Sequence, residues 1–139
     1  MPAPLILRVK NSADEIPAAT AAASRWLAEQ GAPPAADYFT SLVIEELVTN
    51  CTKYGYDDAN EHCLQIELNY TPAELMITVT DDGHRFNPLE LPEPNVNLPV
   101  EERSVGGLGI HLLRKMSTRI EYAWENSHNR LTLHKKLGS

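Results

Sequence analysis

Phe39-Thr40-Ser41-Leu42-Val43-Ile44-Glu45-Glu46-Leu47-Val48-Thr49-Asn50-Cys51-Thr52-Lys53-Tyr54 sets a carboxylate and a carboxamide among apolar residues, and its reading governs the rest of the chain. Phe39, Leu42, Val43, Glu46, Leu47, Asn50 and Tyr54 recur at intervals of three and four. At about 100° per residue they share one helical face. Glu46 and Asn50 fall near its centre, one turn apart. A surface helix turns such a stripe toward the core, where an unpartnered carboxylate is costly. Two readings follow. Either the helix lines a wet pocket, or it is rotated or its polar pair satisfied internally.

Outward from this helix the chain alternates between helical and extended patterns. Leu5 to Lys10 alternates like a short strand. Ser12 and Glu15 have capping-box spacing and open a helix through Ile16, Ala19, Ala23, Trp26 and Leu27 to a stop near Gly31. Pro33 and Pro34 suit the start of the central helix, which should end near Gly55. Leu64-Ile66-Leu68-Tyr70 and Leu75-Ile77-Val79 alternate on either side of Thr71-Pro72, an antiparallel hairpin in prospect. Asn87 to Ser104 has no convincing period and holds Pro88, Pro92, Pro94 and Pro99; a loop of that length is usually a lid or binding loop. Gly106 to Gly109 then opens a helix with Leu112, Leu113 and Met116 on one face. Two strand-like runs, Ile120 to Trp124 and Leu131 to Leu133, close the chain around a polar turn at Asn126 to Asn129. The pattern predicts an α+β fold, one domain over 1–139: a two-layer sandwich with a mixed, mostly antiparallel sheet against about three helices.

Composition narrows the function. With 42% hydrophobic and 22% charged residues the chain is an ordinary globular one. Its net charge of −7 argues against general nucleic-acid or anionic-membrane binding but leaves room for a nucleotide pocket with local donors. Cys51 and Cys63 lack short metal spacing and read as free thiols of a reducing compartment. No signal-peptide core or membrane-length apolar run is visible, so a soluble cytoplasmic protein is expected.

Three segments carry chemistry. Asn50 can offer its carbonyl oxygen to Mg²⁺, a hard ion that takes its other ligands from water and phosphates. Glu46 is placed to take a proton from a hydroxyl or water attacking a terminal phosphate, or to hold a metal-bound water. Lys53 either meets a phosphate or is a solvated lysine near a helix end. Next, Asp81-Asp82-Gly83-His84-Arg85-Phe86 ends a strand. An aspartate there can accept from an exocyclic amine such as adenine's, and Gly83 would let a ring approach; strand-Asp-Gly is also an everyday turn. His84, with no second ligand beside it, reads as an exposed loop residue. Finally, Gly106-Gly107-Leu108-Gly109 at a helix start presents backbone N–H groups suited to phosphate. It is neither a P-loop nor a dinucleotide fingerprint. Each motif is weak alone; their order, with a lid between the last two, is the stronger signal.

In that order the segments resemble the N, G1 and G2 boxes of the GHKL ATP-binding superfamily, which has the Bergerat fold. They are most similar to the small stand-alone anti-sigma-factor serine kinases of the RsbW and SpoIIAB kind. The resemblance spans nearly the whole chain, with the lid at about 87–105. It implies ATP and Mg²⁺ as cofactors, Asn50 as the Mg²⁺ ligand and Glu46 as the catalytic base. It places Lys53 and Tyr54 near the phosphates and Asp81 with Gly83 at adenine. Gly106, Gly107, Leu108 and Gly109 would serve the lid hinge and phosphates. Thr132 resembles a strand threonine that lies near adenine in related proteins. Two features depart from the pattern: Tyr54 stands where stand-alone kinases often carry histidine, and Arg103 is the lid's only basic residue. No dimerising helix with a phosphoacceptor histidine precedes the domain, which argues against a complete histidine kinase.

The resemblance implies a serine-protein kinase and anti-sigma factor acting by partner switching. Its partners would be a STAS-domain antagonist, which it phosphorylates, and a sigma factor, with a homodimer as the expected assembly. The alternative is a nucleotide-gated protein-binding module without significant kinase activity, whose lid is ordered by ATP. A structural domain with no nucleotide would require all three motifs to coincide by chance.

Overall fold

Period-two patterning builds one sheet and leaves its two faces chemically distinct. The structure is a computed structural model and describes residues 3–54, 62–90 and 107–138. In chain order the elements are β1 (Leu5–Lys10), α1 (Ile16–Glu29), α2 (Pro34–Tyr54), β2 (Cys63–Tyr70), β3 (Glu74–Asp81), α3 (Gly107–Met116), β4 (Arg119–Glu125) and β5 (His128–Lys136). Short 3₁₀ turns at Ala13–Glu15 and Pro88–Glu90 complete them. The strands lie in the order β1-β2-β3-β5-β4. Every pairing is antiparallel, so the sheet is purely antiparallel rather than mixed. The expected α+β sandwich with three helices is what forms.

Turn chemistry sets the register. In the β2–β3 hairpin, Thr71 N–H donates to Glu74 O at 2.9 Å across a turn holding Pro72, whose fixed φ suits that position. Between β4 and β5 only Asn126 (φ 52°) and Ser127 (φ 62°) take the left-handed conformation of a two-residue turn, with Glu125 paired to His128. The loop is therefore shorter than the polar run Asn126–Asn129, and Asn129 belongs to β5. Helix α1 ends in a Schellman motif. Gly31, at φ 75°, donates to Ala28 O at 3.0 Å and Ala32 donates to Leu27 O at 2.9 Å. Ser12 does not form the expected box. It accepts from Asp14 N–H at 3.3 Å and caps the 3₁₀ turn, because α1 starts only at Ile16.

One sheet face carries Leu64, Ile66, Leu68, Leu75, Ile77, Val79, Leu131 and Leu133, all buried against the helices. Helix α2 covers them with Ala36, Phe39, Val43, Ile44, Val48 and Cys51. Each large side chain so buried contributes about 1.5–3 kcal/mol. This set is rotated by about 70° from the expected stripe at about 100° per residue. Ile44 and Val48 are fully buried, and Glu46 and Asn50 sit at the margin, half-buried. Apolar residues cover both flanks of α2, and packing of Ile44 and Val48 decides which flank faces inward.

Candidate functional site

A cavity of about 390 Å³ opens at the end of the sheet that β3 and β5 approach together. Its size suits a small organic ligand. Leu47, Asn50 and Cys51 of α2 form one wall, and Leu64, Val79, Tyr122 and Leu131 rise from the sheet. His84, Arg85, Phe86 and Pro88 close it from the segment after β3, and Asp81 and Asn129 supply polar groups at its sheet end. The lining is largely apolar with a few polar groups, the usual make-up of a small-molecule site.

Asp81 arrives there by strand periodicity. It continues the buried series Leu75-Ile77-Val79, so its side chain joins the helix-facing side. Asn129 likewise continues Leu133-Leu131 and is the direct register partner of Asp81. Asp81 Oδ1 accepts from Gly83 N–H at 2.9 Å and from Asn129 Nδ2 at 3.0 Å. The first bond is an Asx turn that bends the chain after the strand. Asn129 Nδ2 also donates to His84 O at 2.7 Å, while Oδ1 accepts from Phe86 N–H at 2.9 Å and from the Tyr122 hydroxyl at 2.5 Å. The wall segment from Gly83 to Phe86 is thereby tied to the sheet.

Asn50 lines the same cavity, but its Nδ2 is buried and has no hydrogen-bond partner among the described residues. A buried amide without a partner costs about 1–3 kcal/mol, and a ligand in the cavity would relieve that cost. Rotation about χ2 can present either the carbonyl oxygen to a cation or the N–H₂ to a phosphate oxygen. The residue therefore fits the donor chemistry Mg²⁺ requires. Among the described residues no cluster of three His, Cys, Asp or Glu could hold a metal by itself.

One turn back on α2, the Glu46 carboxylate lies against Cα of Gly109, in the first turn of α3. A methyl group at 109 would overlap the carboxylate outright. Glycine permits this close approach, and a larger residue would require the Glu46 carboxylate to move; the positive end of α3 is where an anion is favoured.

The structure thus brings Asn50, Asp81 and Gly83 to one cavity region and Glu46 to Gly109. Gly107 and Leu108 open α3. Gly106, Arg103 and the 91–105 part of the expected lid lie outside the described residues, as do the side chains of Lys53, Tyr54 and Leu108. Thr132 is not brought to the cavity. It pairs with Thr78 and Glu121, and strand alternation points it away from the face shared by Leu131 and Leu133. The β5 residue that does reach the cavity is Asn129, with Tyr122 beside it. Counting back by twos from Leu133 would have found it.

Comparison with known proteins gives the family and the fold. A family model described as a histidine kinase-like ATPase domain matches residues 9–135. The serine/threonine-protein kinase BtrW of Bordetella bronchiseptica is 22% identical over 93 residues, covering 67% of this chain and 66% of that protein. The chain thus spans just under two thirds of that relative's length. The crystal structure of the RsbU and RsbW domains of Rv1364c from Mycobacterium tuberculosis superposes on 96% of the chain and 32% of its own, with a TM-score of 0.65 at 17% identity. That likeness is one of fold.

Proposed function

The chain belongs to the histidine kinase-like ATPase domain family, and from that premise we propose that it is an ATP- and Mg²⁺-dependent protein serine kinase acting by partner switching. The observation that carries the reading is the layout of the cavity and of the helix beside it: a hydrogen-bonded carboxylate at the sheet end, an Asn50 Nδ2 on α2 with no partner among the described residues and, one turn back on α2, Glu46 against the first turn of α3. In this reading Asp81 receives the adenine amine, and the apolar walls take the ring. Asn50 would hold Mg²⁺, which neutralises phosphate charge when bound. The N–H groups of the first turn of α3 face the phosphates.

The transfer itself asks little covalent chemistry of the protein. A serine hydroxyl oxygen bonds to the γ-phosphorus as the bond to the β–γ bridging oxygen breaks. ADP leaves, and the hydroxyl proton passes to the Glu46 carboxylate. The substrate we propose is a STAS-domain antagonist, with a sigma factor as the protein held in its absence and a homodimer as the working assembly in the cytoplasm. Support for the kinase class comes from the kinase BtrW, the similar protein named above. Among the described residues no helix is long and apolar enough to cross a membrane.

A second reading, nucleotide-gated binding without significant transfer, draws on the contact between Glu46 and Gly109, because a carboxylate held against α3 could report nucleotide occupancy to that helix. One variant separates them. Under the kinase reading, Glu46→Gln keeps ATP affinity and loses transfer to a STAS protein by about 10²–10⁴-fold, measured with labelled ATP. Transfer at the wild-type rate would remove Glu46 from the role of base. No transfer by the wild type, with ATP-dependent partner binding intact, would select the second reading.

A further inference from the structure

We propose that Asn129 determines which base this pocket accepts, by holding Asp81 so that one carboxylate oxygen is consumed internally and the other is reserved for a ligand amine. The inference rests on the reading of the cavity as an ATP site.

Both internal bonds to Asp81 fall on Oδ1, from Gly83 N–H and from Asn129 Nδ2. Among the described residues Oδ2 receives none, and Asp81 lines the cavity. A fixed carboxylate with one open oxygen is an acceptor without a donor. It suits the 6-amino group of adenine and rejects a 6-oxo group, which would bring two acceptors together.

The network dictates the amide's orientation and its identity. Phe86 N–H can only donate, so it must face Oδ1; His84 O and the Asp81 carboxylate can only accept, so they must face Nδ2. With the Tyr122 hydroxyl also on Oδ1, the amide's two donors and two acceptor positions are all used. Asn129 is 7% exposed, so none of these bonds is replaced cheaply by water. A carboxylate of the same shape would lose both donors. Threonine has one donor and a single polar atom, too few to join four partners.

Asn129 acts through Asp81 and is therefore a positioning residue. The test measures binding of ATP and of inosine triphosphate, which carries an oxo group in place of the amine, by calorimetry on the full chain. Wild type should prefer ATP. Asn129→Asp should lower ATP affinity by about tenfold or more at neutral pH while changing inosine triphosphate binding little, so the preference collapses. A role confined to folding would lower both affinities alike and leave their ratio unchanged. Tyr122→Phe removes one of the amide's four short bonds and should lower the ATP preference by about threefold. It decides the question should Asn129→Asp not fold. An ATP preference equal to wild type in the folded variants overturns the assignment of Asn129 and leaves the ATP site standing. Failure of wild type to bind ATP overturns both.

Discussion

Two asparagines line the same cavity and are used in opposite ways. The Asn129 side chain on β5 makes four hydrogen bonds of 3.0 Å or less to groups of its own chain, and a longer one from Nδ2 to Gly83 O at 3.5 Å. Asn50 on α2 has a buried Nδ2 that makes none among the described residues. The first is bonded into the wall it supports. The second keeps a hydrogen-bonding deficit that an occupant of the cavity would make good. Preorganisation at the sheet end and unmet demand at the helix end are two ways of favouring a ligand: one removes the cost of ordering the site, the other stores a small cost that binding relieves.

If that contrast is right, removing each amide should move stability in opposite directions. Asn129→Ala strands Phe86 N–H, the Tyr122 hydroxyl, His84 O and part of the Asp81 carboxylate in a nearly closed space. A loss of about 3 kcal/mol is expected, or roughly 10 °C in Tm, by thermal and urea unfolding without nucleotide. A Tm within a degree or so of wild type would mean that water repairs the network and that the sheet end is not preorganised as described.

Asn50→Leu should do the reverse. It replaces the half-buried amide, whose Nδ2 has no partner, with an apolar group of similar size. The expected gain is about 1 kcal/mol, a rise of a few degrees in Tm. The same variant should lose the further stabilisation that Mg²⁺ and ATP give the wild type by mass action. A more stable protein that no longer responds to nucleotide would identify Asn50 as a residue kept for binding. A less stable one would show that the amide has a structural role.

How far this contrast could be read from sequence depended on periodicity. Leu5–Lys10 and the Leu64 to Val79 hairpin alternate cleanly because one face is buried, so their strands were legible. Helix α2 was legible as a helix but not in its rotation. Leu42, Val43, Ile44, Leu47 and Val48 spread apolar character over both flanks, and the inward flank was settled by packing against the sheet and α1. Asn129 escaped because Asn126-Ser127-His128-Asn129 is polar throughout, and composition alone does not show that the turn uses only two of the four. The same one-residue phase explains Thr132, since a period of two puts neighbours on opposite faces. Asp81 was legible because its strand ran unbroken into it.

The outer face of the sheet offers a control for the buried network, since the same three strands carry a second one. There His134 of β5 lies between Glu74 of β3 at 3.2 Å and Glu121 of β4 at 2.9 Å, as Asn129 lies between Asp81 and Tyr122 on the inner face. Arg119 adds a 2.8 Å ion pair to Glu121. The Arg119 hydrogen bond, then that of His134, holds the Glu121 carboxyl below its ordinary range. A carboxylate so depressed contributes stability above its unfolded pKa and loses it as pH falls through the folded value. Any contribution is therefore present at neutral pH and disappears in acid. Yet Arg119 and Glu121 lie in water, where entropy and salt screening cancel most of an ion pair's attraction. Arg119→Ala should therefore change Tm by no more than about 2 °C at neutral pH, less in high salt, and not at all in acid. A loss approaching that of Asn129→Ala would mean that the three-strand geometry, rather than burial, gives such a bridge its strength.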